Sequence, residues 1–124
     1  MAEVLIIDDD AQIRRLISRI LRGADHSVRE ATDGRSGLEL FSQATPALVI
    51  TDLVMPDTEG IETIREIRAK NASIPILAIS GGGTSIYLRA ATGLGATASL
   101  EKPFGAAPLL AAVADLLSAA KPLS

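Results

Sequence analysis

Short, unbroken apolar runs alternate with longer stretches in which apolar residues recur at helical spacing, and the alternation repeats five times. Val4, Leu5, Ile6 and Ile7 form a continuous apolar run, the pattern of a parallel strand covered on both faces, and it stops at Asp8, Asp9 and Asp10. From Ala11 onward, Ile13, Leu16, Ile17, Ile20 and Leu21 fall at i, i+3, i+4, i+7 and i+8, which assigns them to the inward face of a helix. Arg14, Arg15, Arg19 and Arg22 take the other face; Asp10 is the expected cap and Gly23 the expected terminator. The more polar run 27–31 suits a second strand at a sheet edge, followed by a helix over about 35–43 with Leu38 and Phe41 inward. Beyond Pro46, Leu48, Val49 and Ile50 lead as a strand to Asp52, then a loop over 53–60, then a helix with Ile61, Ile64 and Ile67 on one face. A fourth strand over 74–79 ends at Ser80 and three glycines. A helix around 86–91, a strand around 98–100 and a helix over about 107–119, with Leu109, Leu110, Val113, Leu116 and Leu117 inward, complete the pattern. The predicted class is α/β: a doubly wound, five-stranded parallel sheet with five helices.

The 124 residues suit one domain spanning 1–124 and leave no room for a second, output or catalytic, module. With 48% apolar and 22% charged residues the chain can bury a core, and with one Tyr and two Phe that core is aliphatic. Few aromatics and a net charge of -3 argue against direct nucleic-acid binding. The absence of cysteine removes disulfides, thiolate metal sites and cysteine nucleophiles, and a single histidine, His26, supports no histidine-based centre. No run approaches the roughly 18 apolar residues of a membrane span, and residues 4–7 are too few for a signal-peptide core. The expectation is a soluble, cytoplasmic protein without membrane insertion, whose chemistry uses oxygen and nitrogen.

In an open parallel sheet, ligands bind at the carboxyl ends of the strands. Here those ends carry Asp8, Asp9 and Asp10 on the first strand, Asp52 on the third, Ser80 on the fourth, and Glu101, Lys102 and Pro103 on the fifth. Adjacent carboxylates on a buried strand repel one another and lose solvation, a cost that a shared cation removes. Mg²⁺ suits such a site, because it takes one or two carboxylates, waters and a phosphate oxygen. A carboxylate nucleophile beside that ion, with a lysine and a hydroxyl on the incoming oxygens, suffices for phosphoryl transfer. Asp52, alone at its strand end, is the best nucleophile candidate; Asp8 and Asp9 are better placed to hold the metal. Pro103 restricts Lys102 to an extended conformation or a cis bond, which fixes where its side chain points.

These residues resemble the receiver domain of two-component response regulators. The resemblance rests on residues 4–9 (VLIIDD), 48–56 (LVITDLVMP), Gly60, 76–81 (ILAISG) and 102–104 (KPF), in order and across essentially the whole chain. It implies a flavodoxin-like sheet in the order 2-1-3-4-5. It also implies that Asp52 accepts a phosphoryl group from a phosphohistidine of a sensor histidine kinase or a histidine phosphotransfer protein. Asp9, Asp52 and the Val54 carbonyl would ligate Mg²⁺, and Asp8 would hold a metal-bound water. Ser80 and Lys102 would contact phosphoryl oxygens, and the amides of Leu53 and Gly81 would help cradle the group. The phosphorylated form would bind a downstream protein or relay the group onward, through a surface over about 86–119. The chain would be a stand-alone receiver in a phosphorelay.

In one place the sequence departs from the family. The aromatic residue usual three positions before the lysine is replaced by Ser99, so no ring stands there to be buried on switching; Tyr87 or the glycines 81–83 are the alternative carriers. A Mg²⁺-dependent phosphohydrolase would need an acid two positions after the nucleophile, where Val54 stands. A dinucleotide fingerprint at Gly81 and Gly83 lacks its third glycine, Ile86 occupying that place. The intact set of Asp8, Asp9, Asp52, Ser80 and Lys102 argues against a receiver that works without phosphorylation. Arg14 and Arg15 are expected on the solvated face of the first helix; the resemblance, which sets that helix beside the acidic rim, offers contact with the phosphodonor as the alternative.

Overall fold

A computed structural model describes residues 2–53, 59–81, 93 and 95–120. In chain order the elements are β1 (Glu3–Ile7), α1 (Ala11–Gly23), β2 (Ser27–Ala31), α2 (Gly34–Gln43), β3 (Leu48–Asp52), α3 (Glu59–Lys70), β4 (Ile76–Ser80), β5 (Ala98–Glu101) and α4 (Ala106–Ala120). The strands form one parallel sheet in the order β2-β1-β3-β4-β5, as the family resemblance implied. Four helices lie among the described residues; the helix expected around 86–91, with Tyr87, falls outside them, as does the Val54 loop. No helix among the described residues is long and apolar enough to cross a membrane.

The sheet separates two cores, because alternate residues of a strand point to opposite faces. Leu5, Ile7, Val49 and Ala78 pack with Phe41, Ile64 and Ile67 of α2 and α3, while Val4, Ile6, Ile50 and Ile79 pack with Ile17, Leu21, Leu109 and Val113 of α1 and α4. Strands β3 and β4 are buried along their whole length, which is why they are so uniformly apolar until they reach the carboxyl rim. The fourth strand begins at Ile76, two residues later than its apolar pattern suggests. Asn71 Oδ1 accepts from the amides of Ser73 and Ile74, holding a turn there, and Pro75 has no N–H to enter a ladder.

Helix α1 is capped as expected, Asp10 accepting from the amides of Gln12 and Ile13. Its buried face is rotated from the apolar stripe, however: Leu16 is 41% exposed and Ser18 only 6%. The two residues flank Ile17 by about 100° on either side, and the side turned inward is the one whose polar groups find partners. Arg22 Nε donates to Ser18 Oγ at 3.1 Å and Arg22 Nη2 to the Val28 carbonyl at 3.1 Å, fastening this side to β2.

Arginines hold two further junctions. Arg29 on the edge strand donates to the carbonyls of Leu40 and Ala44 at the end of α2 and to Glu3 of β1. Arg68, near the end of α3, donates through Nε and Nη2 to the Gly95 carbonyl at 3.1 and 2.6 Å and through Nη1 to the Asn71 carbonyl at 3.2 Å. Gly95 has φ +126°, in the range that favours glycine, and a Cβ there would meet Arg68 at 3.0 Å.

Candidate functional site

Parallel pairing brings the strand ends to one rim. The register sets Asp52 beside Ile79, so β3 ends one residue short of Ser80 on β4, and Ser80 lies beside Glu101 on β5. β1 ends immediately before Asp8. Asp8, Asp52 and Ser80 are thereby buried at 0, 3 and 0% exposure, although they lie at the sheet's functional end.

Lys102 reaches into this group from the residue after β5. Its Nζ lies 3.2 Å from Asp52 Oδ2 and 3.5 Å from Asp8 Oδ2, bridging the two carboxylates. The Lys102 amide donates to the Ser80 carbonyl at 2.6 Å, which aligns the segment with β4, and the Lys102-Pro103 peptide bond is cis. Asp8 Oδ1 accepts from the Asp10 amide at 2.9 Å. Burial pushes the Asp8 carboxyl from its ordinary 3.8 up to about 6; the Asp52 charge adds to the rise, against the Asp10 amide and Lys102.

One carboxylate oxygen from each of Asp8, Asp9 and Asp52 lies within 4.8 Å of the others, with Asp9 exposed and the other two buried. Three oxygen ligands so close, two of them removed from water, offer more negative charge than one ammonium neutralises. The set fits a hard divalent cation, and the exposed side at Asp9 leaves room for its waters.

Among the remaining expected site residues, Ser80 Oγ donates to the Gly81 carbonyl at 3.4 Å. Gly81 is half-buried, and a Cβ added there would meet nothing within 4 Å. The Leu53 amide, expected in the phosphoryl cradle, donates instead to the Ile79 carbonyl at 2.9 Å, continuing the β3–β4 ladder past Asp52. Val54 lies outside the described residues. Ser99, at the position usually aromatic, is exposed on β5, and Arg15 is exposed on α1.

Arg14 departs from its expected place on a solvated face. It turns back under the site, donating from Nη1 to the Asp8 carbonyl at 2.9 Å and from Nε to Glu30 at 3.1 Å. Its position was readable from the helix repeat, since it stands on the same side of Ile17 as Ser18; its class as a charged residue hid it. Gly60 proves structurally demanding as well. A Cβ there would lie 2.7 Å from Leu53 Cα and 2.8 Å from the Leu53 carbonyl oxygen, and against the carbonyl of Asp52, so α3 begins in direct contact with the backbone at the end of β3.

Comparison with known proteins agrees with this fold. The "Response regulator receiver domain" family matches residues 4–114. Among curated relatives, the response regulator MprA of Mycolicibacterium vanbaalenii is 34% identical over 119 residues, covering 96% of this chain and 52% of that protein. MprA of Mycobacterium leprae is 33% identical with the same coverage. The chain therefore spans about half the length of the curated relatives it matches. Among solved structures, the receiver domain of NtrX from Brucella abortus superposes with a TM-score of 0.90 at 31% identity, covering 93% of this chain and 98% of that one. The chemotaxis response regulator CheY4 of Vibrio cholerae gives 0.86 at 31% identity, covering 94% and 98%.

Proposed function

The chain belongs to the response-regulator receiver family, whose members are signalling domains, and we propose that its phosphoacceptor is Asp52. The observation that carries this reading is the bridge from Lys102 Nζ to Asp52 and Asp8, beside three carboxylates within 4.8 Å. A lone buried carboxylate would be costly, whereas this one is already paired with an ammonium and faces a candidate cation site.

The donor is a phosphohistidine of a sensor histidine kinase or a histidine phosphotransfer protein. An Asp52 carboxylate oxygen attacks phosphorus, the P–N bond breaks, and the departing imidazole nitrogen keeps the bonding pair and takes up a proton. Asp8, Asp9 and Asp52, with the Val54 carbonyl, would hold Mg²⁺, which supplies positive charge to the phosphoryl oxygens. Lys102 is placed to exchange one carboxylate contact for a phosphoryl oxygen, and Ser80 to turn its hydroxyl from Gly81 to another. The Gly81 amide completes the cradle. The Leu53 amide contributes only by leaving its bond to Ile79, so it is not among the residues ready for the reaction. Phosphorylation then alters the contact with a downstream protein or precedes onward transfer to another histidine.

The test is intact mass after incubation with Mg²⁺ and a small phosphodonor. One phosphoryl adduct is expected, absent in Asp52→Asn and in the presence of a chelator. Persistence of the adduct in Asp52→Asn would refute the assignment.

A further inference from the structure

The backbone of Asp8 is tied to edge strand β2 on both sides of its Cα. Its N–H donates to the Ala31 carbonyl at 3.1 Å, and its carbonyl accepts from Arg14 Nη1 at 2.9 Å. Arg14 Nε in turn pairs with Glu30, the residue before Ala31, at 3.1 Å. The guanidinium is a rigid planar fork, so satisfying Glu30 and Asp8 together fixes one orientation of the group relative to both. Only 14% of the Arg14 side chain is exposed, unusually little for an arginine on an outer helix. The loop is closed from the helix side as well, since the Arg14 amide donates to the Asp10 carbonyl and the Asp10 amide to Asp8 Oδ1.

This arrangement meets a specific physical difficulty. Asp8 and Asp9 are consecutive, yet a carboxylate oxygen of each must come within 4.8 Å of the other and of Asp52. Repulsion drives them apart when no ion is present, and a turn free to yield would have to be reordered each time an ion bound. We propose that Arg14, held by Glu30, is a positioning residue for the cation site. It touches no reacting atom and acts through the Asp8 carbonyl, keeping the turn from β1 to α1 in the form that presents Asp8 and Asp9 to the metal. The inference rests on the reading of the acidic cluster as a Mg²⁺ site. A solvent-exposed ion pair of ordinary kind would contribute little stability and leave metal affinity alone.

The experiment is a Mg²⁺ titration of the amide resonances of wild type, Arg14→Ala, Arg14→Lys and Glu30→Gln, each with its melting temperature. Arg14→Ala is expected to weaken Mg²⁺ roughly tenfold, within the range found when groups that orient metal ligands are removed. Arg14→Lys is expected to recover part of the loss, because an ammonium can still reach the Asp8 carbonyl but cannot serve Glu30 at the same time. Glu30→Gln should weaken binding less than Arg14→Ala. The Mg²⁺ concentration for half-maximal phosphorylation should rise in step, while the adduct formed at saturating Mg²⁺ stays at the wild-type level. A lowered melting temperature with unchanged Mg²⁺ affinity would overturn the proposal and leave the pair as a brace of β2. Should Arg14→Ala not fold, Glu30→Gln decides, wild-type affinity there overturning the proposal. Failure of the wild type itself to bind Mg²⁺ would instead remove the metal reading, and this inference with it.

Discussion

Along the carboxyl rim of the sheet, β1 and β3 run into buried carboxylates, whereas β5 is exposed at every second residue and carries Ser99 and Glu101 in solvent. On the acidic side nearly every polar atom is held by another: Asp8 by Ala31, Arg14, Asp10 and Lys102, and Asp52 by Lys102. On the β5 side the backbone is paired to β4, but its outward side chains are small or solvated. The contrast fits the proposed function. Phosphoryl transfer depends on charges fixed within fractions of an ångström before the donor arrives. The proposed partner-reading surface needs no such prior fixation, and Ser99 leaves the exposed β5 side without a ring.

Substitutions can separate the two sides. The largest effect is expected at Gly60, where alanine would drive a methyl group into the backbone of Asp52 and Leu53. Gly60→Ala should cost about 3 kcal/mol despite the better helix propensity of alanine, read by denaturant unfolding. A neutral result would mean that α3 stands off the end of β3.

Next is the charge on Asp8. Its carboxyl titrates at about 6 in the folded protein against an ordinary 3.8, so the folded state holds its proton more tightly than the unfolded one. Metal-free protein should therefore lose stability as pH rises from about 4 through 6, by about 2 kcal/mol. Asp8→Asn should remove most of that slope and be the more stable protein at pH 7.5, and added Mg²⁺ should stabilise the wild type alone. A wild-type stability curve flat across this range would show that burial and the neighbouring Asp52 charge impose no cost on the ionised Asp8 carboxyl. Ser99→Ala, on the β5 side, should change stability by less than about 0.5 kcal/mol, and a larger loss would mean that the plain surface is structurally engaged.

Much of this contrast was legible in the amino-acid sequence, unevenly so. Runs such as Val4 to Ile7 and the three aspartates after them define a buried strand and its chemical end, because burial on both faces permits almost nothing but apolar side chains. Asp52, Ser80 and Lys102 follow by counting to the ends of later strands. Arg14 escaped because periodicity sorts residues by polarity, while the fold oriented α1 by hydrogen bonds that Arg14 and Arg22 make to backbone carbonyls. Leu16 was left outside for the same reason. The Leu53 amide could not be assigned from sequence either, since backbone donors look alike until a ladder claims them.

Helix α3 has a fixed point at each end. Gly60 sets its first turn against the Asp52 carbonyl, and Arg68 grips the Gly95 carbonyl near its last. Its 12 residues make a rod about 18 Å long, stiff along its axis. Through it, the strand that ends in Asp52 and the turn that feeds β5 are two stations on a single strut. A shift of one along the strut's axis displaces the other, unless the bonds from Arg68 to Gly95 give way first.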